Sequence, residues 1–304
     1  MPPSQTPHSN TLAGIALMLG AMFVLPFLDV VAKFLGQQNV PIIEIVWARL
    51  FFGMVMTAPL VWKFEGARSL IPQRPVIHTI RATFLVAATG LFFWALKFQG
   101  IAETLAIFFV QPLVITMLSP FVLGEKVGVR RWLAVAVGFM GTLIIIRPGF
   151  QSLNPGVFMA LGAGTSLALY MLLTRRIAGS AGAMTTTFLT SLAGSVITSI
   201  AVVFVWQAPT LQQWQQFLLL AFIATFGHYL IVRAYDYAEA SLLAPLGYTE
   251  MIMAVIAGWY FFGDFPDIWT FVGVGVLIAC AIYISYRERV RNVPPLETPP
   301  TMIS

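Results

Sequence analysis

The sequence predicts an all-α integral membrane protein, with ten transmembrane helices arranged as two inverted repeats of five helices. Its 304 residues are 59% hydrophobic and only 10% charged, whereas about 25% of residues are charged in soluble globular proteins. Apolar runs of about 20 residues, the length that crosses a bilayer, recur along the chain. Motifs of the first half also return in the second half. These observations exclude a soluble globular fold.

Ten apolar runs, here called spans 1 to 10, are long enough to cross a membrane. Prolines such as Pro41, Pro155 and Pro266 fall between runs, where a missing N–H does least harm to a helix. Tryptophans such as Trp62 and Trp269 lie near run ends, as expected at a membrane surface. The predicted spans cover residues 12–35, 42–62, 76–97, 104–123, 131–147, 155–174, 183–206, 213–234, 241–262 and 268–286.

The basic residues between the runs predict the orientation. With both termini in the cytoplasm, 13 Lys and Arg residues, Arg81 among them, lie on the cytoplasmic side, against Lys33, Lys97 and Arg147 on the other side. Cytoplasmic loops carry the excess of basic residues in membrane proteins. We therefore expect a multi-pass protein of a bacterial-type inner membrane, with cytoplasmic tails at 1–11 and 287–304. The second tail is rich in proline and is predicted to be disordered.

An internal repeat is the most informative feature of the sequence. The dipeptides Gly124-Glu125 and Ala102-Glu103 of the first half match Gly263-Asp264 and Ala238-Glu239 of the second. Five spans per half is an odd number, so the second copy enters the membrane from the opposite side. Inverted repeats are a transporter architecture. We predict repeats at 12–149 and 150–286. With a shift of 142 residues, Gly14, Leu19, Gly20, Ala21 and Lys33 fall on Gly156, Leu161, Gly162, Ala163 and Arg175.

These motifs resemble a known family. The run from Ala102-Glu103-Thr104 through Gln111-Pro112-Leu113 to Gly124-Glu125-Lys126 is similar to the end of an EamA-type domain of the drug/metabolite transporter superfamily. Trp47-Ala48-Arg49 resembles the arginine-bearing second helix of that domain. The second half departs from the pattern, with Ser191 where an arginine is expected and no proline matching Pro112. The resemblance implies an inner-membrane carrier of small organic solutes, whose central cavity is lined by spans 1–4 and 6–9.

Two charged residues lie deep in the first spans. Asp29 is six residues before the end of span 1, and Arg49 is seven residues after the start of span 2, so both lie roughly 10 Å below the same surface. Unpartnered charges are costly at this depth. We expect an ion pair, which either faces the substrate or joins the two helices.

Further candidate residues lie in later spans. Glu250 lies near the middle of span 9 with Tyr248 beside it, and Gln111 occupies the matching place in the first half. The three are predicted to form a binding site between the repeats, although Glu250 also fits a purely helix-packing role. His228 is a candidate proton carrier or helix contact. Trp94 and Tyr170 are candidates to stack on a planar ligand or to pack.

Other residues of these motifs are expected to be structural. Glu103 and Glu239 begin equivalent helices, where a carboxylate complements the helix dipole. Glu125 and Asp264 are expected to order loops. The pairs Gly138 with Gly141 and Gly273 with Gly275 are predicted to allow close helix packing.

Enzyme chemistry lacks its usual parts in this sequence. There is no H-E-x-x-H motif and no phosphate-binding Gly-Lys loop, and the chain has three histidines and the single cysteine Cys280. We expect no cofactor, no metal site and no nucleic-acid partner. The partners are expected to be the lipid bilayer, a small-molecule substrate and a proton or another coupling ion.

The predicted function is secondary transport by alternating access, with uptake of riboflavin or a similar planar metabolite as the first prediction. Carriers of this superfamily also include S-adenosylmethionine carriers and amino-acid exporters. Export of an amino acid or drug is therefore the alternative, and a non-transporting receptor or assembly factor is the alternative of another class. The lack of basic clusters in the spans argues against multiply charged phosphates.

Overall fold

The structure is a computed structural model that describes residues 11–71, 74–124, 129–147, 154–176, 182–237 and 243–291. The secondary structure of these residues consists of helices joined by short turns. The α-helices are α1 (Thr11–Gln37), α2 (Ile42–Glu65), α3 (Pro75–Ala95), α4 (Ile101–Phe108), α5 (Gln111–Leu123), α6 (Val129–Ile146), α7 (Pro155–Arg176), α8 (Ala183–Val202), α9 (Leu211–Tyr237), α10 (Glu250–Phe262) and α11 (Ile268–Arg291). Two short 3-10 helices cover Ala67–Leu70 and Ala244–Thr249.

Every predicted span has a helical counterpart. Helices α4 and α5 together form span 4, and the second 3-10 helix with α10 forms span 9. In the part of the chain that the structure describes, seven helical segments are long and apolar enough to cross a membrane, and three shorter apolar helices lie in spans 5, 9 and 10. Helix α11 continues to Arg291, so the first five residues of the predicted C-terminal tail are helical. Residues 1–10, 292–304 and the motif residues Glu125 and Glu239 lie outside the described residues.

Two spans contain irregular segments, span 4 near its middle and span 9 in its first part, where the sequence predicted continuous helices. Span 4 breaks at Phe109 and Val110, just before Pro112, because proline removes a backbone donor and disfavours a helix that precedes it. Span 9 contains Pro245 within its 3-10 segment. The two interruptions meet in space, since the rings of Phe109 and Tyr248 lie edge to face with their centroids 5.0 Å apart.

The helices of the two halves interlock. The most extensive contacts join α1 to α9, α2 to α8, α3 to α7 and α6 to α11. In terms of spans these pairs are 1 with 8, 2 with 7, 3 with 6 and 5 with 10. If spans 1–5 exchange places in order with spans 6–10, so that span 1 replaces span 6 and span 6 replaces span 1, the same four pairs result. The packing therefore has the same pairwise pattern when the two halves are exchanged.

Small residues allow several of these contacts. A Cβ atom on Gly227 of α9 would lie 2.6 Å from Leu25 of α1, and one on Gly162 of α7 would lie 3.1 Å from Leu91 of α3. Helices in lipid associate through such close packing because lipid chains are as apolar as the side chains themselves. At the α6–α11 contact, a Cβ on Gly273 would lie 2.6 Å from the carbonyl oxygen of Gly141. The matching prediction for Gly275 was wrong, because a Cβ there meets nothing within 4 Å.

Candidate functional site

The guanidinium of Arg49 lies between helices inside the bundle. Its Nη1 donates a hydrogen bond of 3.0 Å to the hydroxyl of Thr89 on α3. Its carbon Cζ lies 6.0 Å from the ring centroid of Phe93, one helical turn farther along α3. Thr89 is 5% exposed and Phe93 is 2% exposed. Arg49 therefore faces the interior of the bundle, where a charge is costly without a partner.

Further charged and polar side chains surround Arg49 from other helices. Asp29 of α1, Tyr170 of α7 and His228 of α9 all interact electrostatically with Arg49. The carboxyl of Glu250, the first residue of α10, interacts with that of Asp29. The group draws on six helices from both halves of the chain. We call it the central cluster, and its members are Asp29, Arg49, Thr89, Tyr170, His228 and Glu250.

The predicted ion pair between Asp29 and Arg49 is not formed directly. Among the described residues, the ion pairs are Lys33 with Asp264 and Arg147 with Asp267. Asp29 is buried and acts on Arg49 from a distance, while the hydrogen bond of Arg49 goes to Thr89. A guanidinium has five donors. Arg49 thus retains donors that a bound anionic group can use.

The hydrogen bond of His228 defines its tautomer. Nδ1 lies 2.8 Å from the carbonyl oxygen of Ala224 in the same helix. A carbonyl only accepts, so Nδ1 carries the hydrogen. In the neutral ring Nε2 is then an acceptor, which is available for a donor group of a ligand or for a proton.

The remaining predicted site residues lie apart from Arg49. Gln111 begins α5, and its Nε2 contacts the sulfur of Met171 at 2.7 Å. Tyr248 packs on Phe109 at the helix interruptions. Trp94 is 47% exposed, so the structure does not bring it to the central cluster. Gln111 and Glu250 nonetheless hold equivalent places, because each is the first residue after the interruption of its span.

Arg81 is a buried charge that the sequence did not predict. The charge pattern predicts Arg81 on the cytoplasmic side as a loop charge, whereas its side chain on α3 is completely buried. Nη2 donates to the hydroxyl of Thr190 at 2.8 Å and lies 3.4 Å from the hydroxyl of Tyr170. Nη1 lies 3.3 Å from Nδ1 of His78, while Nε has no partner. The signal that could have marked Arg81 as a buried charge is its position, five residues after the start of predicted span 3.

Comparison with known proteins identifies the family. The model of the EamA-like transporter family matches the chain twice, over residues 12–147 and 154–286. The chain belongs to the EamA-like transporter family. The resemblance found in the sequence is thereby confirmed, and the protein is a membrane transporter rather than an enzyme.

Relatives of this chain are named for different cargoes. The S-adenosylmethionine uptake transporter of Rickettsia bellii is 26% identical over 86% of this chain and 89% of its own length. The riboflavin transporter of Vibrio cholerae is 26% identical over 93% of this chain and 98% of its own. The pseudopaline exporter CntI of Pseudomonas aeruginosa is 24% identical, covering 91% and 97%. A solved crystal structure with 17% identity shares the fold, with a TM-score of 0.64 over 95% of this chain.

Proposed function

We propose that this EamA-like transporter takes up S-adenosylmethionine, or a metabolite of closely similar chemistry, by alternating access. The observation that carries the proposal is the composition of the central cluster. Asp29 interacts with a single guanidinium, that of Arg49, and with a second carboxyl group, that of Glu250. Arg49 has no direct ion pair among the described residues. When both carboxyls are ionised and His228 is neutral, the cluster carries a formal charge of −1.

The chemistry of S-adenosylmethionine complements this cluster. The molecule carries one carboxylate, one ammonium, one sulfonium and an adenine ring, which gives a net charge of +1 at neutral pH. In this proposal Arg49 receives the carboxylate, since guanidinium and carboxylate match in geometry. Asp29 and Glu250 receive the two cationic centres. The ring of Tyr170, which also interacts with Arg49, supplies an aromatic face for adenine.

The packing pattern supports a mechanism in which the two halves act as inverted repeats. The helix pairs are the same after exchange of the halves, and each half contributes residues to the central cluster. Two structurally equivalent halves can exchange conformations, which opens a midplane site to one side and then to the other. The interrupted spans 4 and 9 have the form that transporters use beside such sites.

We also propose that the protein lies in an inner membrane and that both of its termini are in the cytoplasm. Arg81 is buried in the bundle and no longer counts as a loop charge. The remaining distribution is 12 basic residues against 3. This still agrees with the excess of Lys and Arg in cytoplasmic loops.

The test is uptake of labelled S-adenosylmethionine into proteoliposomes that contain the purified protein. Arg49→Gln is expected to reduce uptake about tenfold or more, because the carboxylate loses its charged donor. Arg68→Gln is the matched control, since Arg68 is exposed in the 3-10 helix after α2. Uptake that is absent from the parent, or equal in the two variants, contradicts the proposal.

Riboflavin is the second candidate, favoured by the relatives that carry this name and align over nearly their full length. Riboflavin is neutral and has a planar ring system. If it is the substrate, labelled riboflavin enters the proteoliposomes, excess S-adenosylmethionine does not compete, and Arg49→Gln has a smaller effect. If S-adenosylmethionine is the substrate, excess riboflavin does not reduce its uptake.

A further inference from the structure

A pocket of about 430 Å³ opens at the end of the bundle where α1 ends and α2 begins. We call this the Lys33 end, after Lys33 of α1. The pocket is lined by residues of the α1–α2 turn, the end of α3 and the loop that follows it, and by Asp264 after α10. The lining residues used below are Lys33, Gln37, Phe93, Gln99 and Asp264.

Phe93 separates this pocket from the central cluster. Its side chain lines the pocket, and its ring also lies 6.0 Å from the guanidinium carbon of Arg49. Thr89, the hydrogen-bond partner of Arg49, lies one helical turn below Phe93 on the same face of α3. Phe93 thus borders both the pocket and the guanidinium of Arg49.

An ion pair holds the walls of the pocket together. Nζ of Lys33 pairs with the carboxylate of Asp264 and donates a hydrogen bond of 3.3 Å to the carbonyl oxygen of Gln99. The same nitrogen lies 4.7 Å from the ring centroid of Phe262. Only 10% of the Lys33 side chain is exposed. A single ammonium thus ties α1 to the loop after α3 and to the end of α10.

The backbone fits closely around this contact. A Cβ atom on Gly100 would lie 3.3 Å from Cβ of Asp264, so the loop after α3 lies directly against the carboxylate. Lys33 and Gln99 belong to the first half of the chain, whereas Asp264 belongs to the second. Separation of the halves at this end requires the pair to break.

We propose that the pocket is the outer entrance of the transport path, and that the Lys33–Asp264 pair together with Phe93 closes this entrance in the conformation described. The closure lies beyond the substrate site and does not depend on which metabolite is carried. Opening moves Asp264 away from Lys33 and lets Phe93 leave the gap above Arg49. The closed state then prevents a solute in the central cluster from returning to the outer side.

The test measures access to the central cluster with a membrane-impermeant maleimide applied to whole cells. In a background with Cys280→Ser, which removes the only cysteine of the chain, Thr89→Cys reports access below Phe93. Ala208→Cys reports orientation, because Ala208 is exposed in the loop after α8, whose Gln207 N–H contacts Glu44 near the start of α2. We expect rapid labelling of Ala208→Cys and slow labelling of Thr89→Cys.

Loss of the ion pair is expected to open the entrance. Lys33→Ala and Asp264→Asn should each speed labelling of Thr89→Cys about fivefold or more, as expected for one partly buried ion pair. The exchange Lys33→Asp with Asp264→Lys should restore slow labelling. Gln37→Ala, which alters an exposed residue of the same pocket, should change nothing.

Three results overturn the proposal. An unlabelled Ala208→Cys places the Lys33 end in the cytoplasm, and a Thr89→Cys that labels as fast as Ala208→Cys shows that the entrance is open. Unchanged labelling in the Lys33 and Asp264 variants shows that the pair does not close it. Because the assay uses no substrate, failure of S-adenosylmethionine uptake leaves these results unaffected.

Discussion

The hydroxyl of Tyr170 lies 3.4 Å from Nη2 of Arg81, and the guanidinium carbon of Arg81 lies 5.2 Å from the ring centroid of the same tyrosine. Tyr170 also interacts electrostatically with Arg49. One aromatic side chain of α7 therefore interacts with two arginines inside the bundle, one on α2 and one on α3. No carboxylate of the described residues is ion-paired with either arginine.

Tyr170→Phe tests the contribution of this contact. The change removes the hydroxyl and leaves the ring, so Arg81 loses one hydrogen-bond partner in a fully buried place. We expect the free energy of unfolding to fall by about 1 to 3 kcal/mol, as for other hydrogen bonds to charged groups. Unfolding in detergent measures the change. Tyr229→Phe on the exposed side of α9 is the control, and an equal loss in both variants would argue against a special role for the Arg81 contact.

Asp29 and Arg49 are expected to be energetically coupled although they form no direct ion pair. Asp29→Asn or Arg49→Gln alone leaves the other charge without its compensating partner in a low-dielectric region. The double variant should therefore lose less stability than the sum of the single losses, with a coupling of about 0.5 to 3 kcal/mol. A double-mutant cycle measures it. A cycle of Asp29→Asn with Arg68→Gln should be additive, and additivity in both cycles would show that the pair does not interact.

The stability of the protein should depend on the ionisation of Asp267, which lies between α10 and α11. Burial alone raises the pKa of Asp267, but hydrogen bonds from the N–H and hydroxyl of Thr270, and its pairing with Arg147, lower that pKa below the ordinary value of 3.8. A lowered pKa stabilises the folded state above the ordinary value, and this stabilisation disappears as the pH falls through the pKa of the folded state.

Asp267→Asn is accordingly expected to lower the melting temperature at pH 7. The difference from the parent should narrow below about pH 4, where the unfolded parent begins to bind the proton. Thermal unfolding in detergent between pH 3 and pH 8 measures both curves. A difference that stays constant over this range would mean that the charge of Asp267 contributes nothing.

Two glycines two positions apart in α11 should respond in opposite ways to alanine. A Cβ at Gly273 would lie 2.6 Å from the carbonyl oxygen of Gly141, whereas a Cβ at Gly275 meets nothing within 4 Å. Gly273→Ala should therefore destabilise the protein by about 1 to 3 kcal/mol through overpacking. Gly275→Ala should be neutral or stabilise it by up to about 1 kcal/mol through helix propensity. Equal effects in a comparison of unfolding would contradict the close contact of α6 and α11.

The orientation is tested with a reporter fused after Ser304. Basic residues are in excess at the end of the bundle opposite Lys33, which predicts that this end lies in the cytoplasm. An enzyme reporter that is active only in the cytoplasm should therefore be active when it is fused after Ser304. The same reporter inserted at Ala208 should be inactive. Activity at Ala208 and none after Ser304 would show the opposite topology, and the entrance would then lie on the cytoplasmic side.

The sequence was sufficient to place the helices because bilayer thickness fixes the length of an apolar span. Predicted span 1 at 12–35 became α1 at Thr11–Gln37, and the other spans agree to within a few residues at most of their ends. Because a span is recognised from the hydropathy of about 20 residues together, the interruptions beside Pro112 and Pro245, which involve only a few residues each, were not predicted. An interruption in an apolar run changes its hydrogen bonding without changing its hydropathy.

The grouping of the residues of the central cluster could be predicted in part, for a different reason, whereas their role in binding stays a prediction. Asp29, Arg49, Tyr170, His228 and Glu250 do interact as a group, because charged and polar groups deep in a membrane helix turn towards one another. Their partners, however, depend on side chains of other helices. The bond from Arg49 to Thr89 and the burial of Arg81 arise from the packing of α3, which no pattern within α2 or α3 alone encodes.

The pairing of α1 with α9 also has a consequence for how the protein is made. Helix α1 is complete at Gln37, but its partner ends at Tyr237, about 200 residues later in synthesis. At roughly 5 to 20 residues per second, the ribosome needs roughly 10 to 40 s to deliver that partner. During this interval the early helices lie in the lipid with Gly-rich faces and buried charges such as Asp29 uncovered. The yield of folded protein would then depend on how well a membrane chaperone or the insertion machinery shields these faces. Slower translation between α3 and α7 would lengthen the exposure and lower that yield.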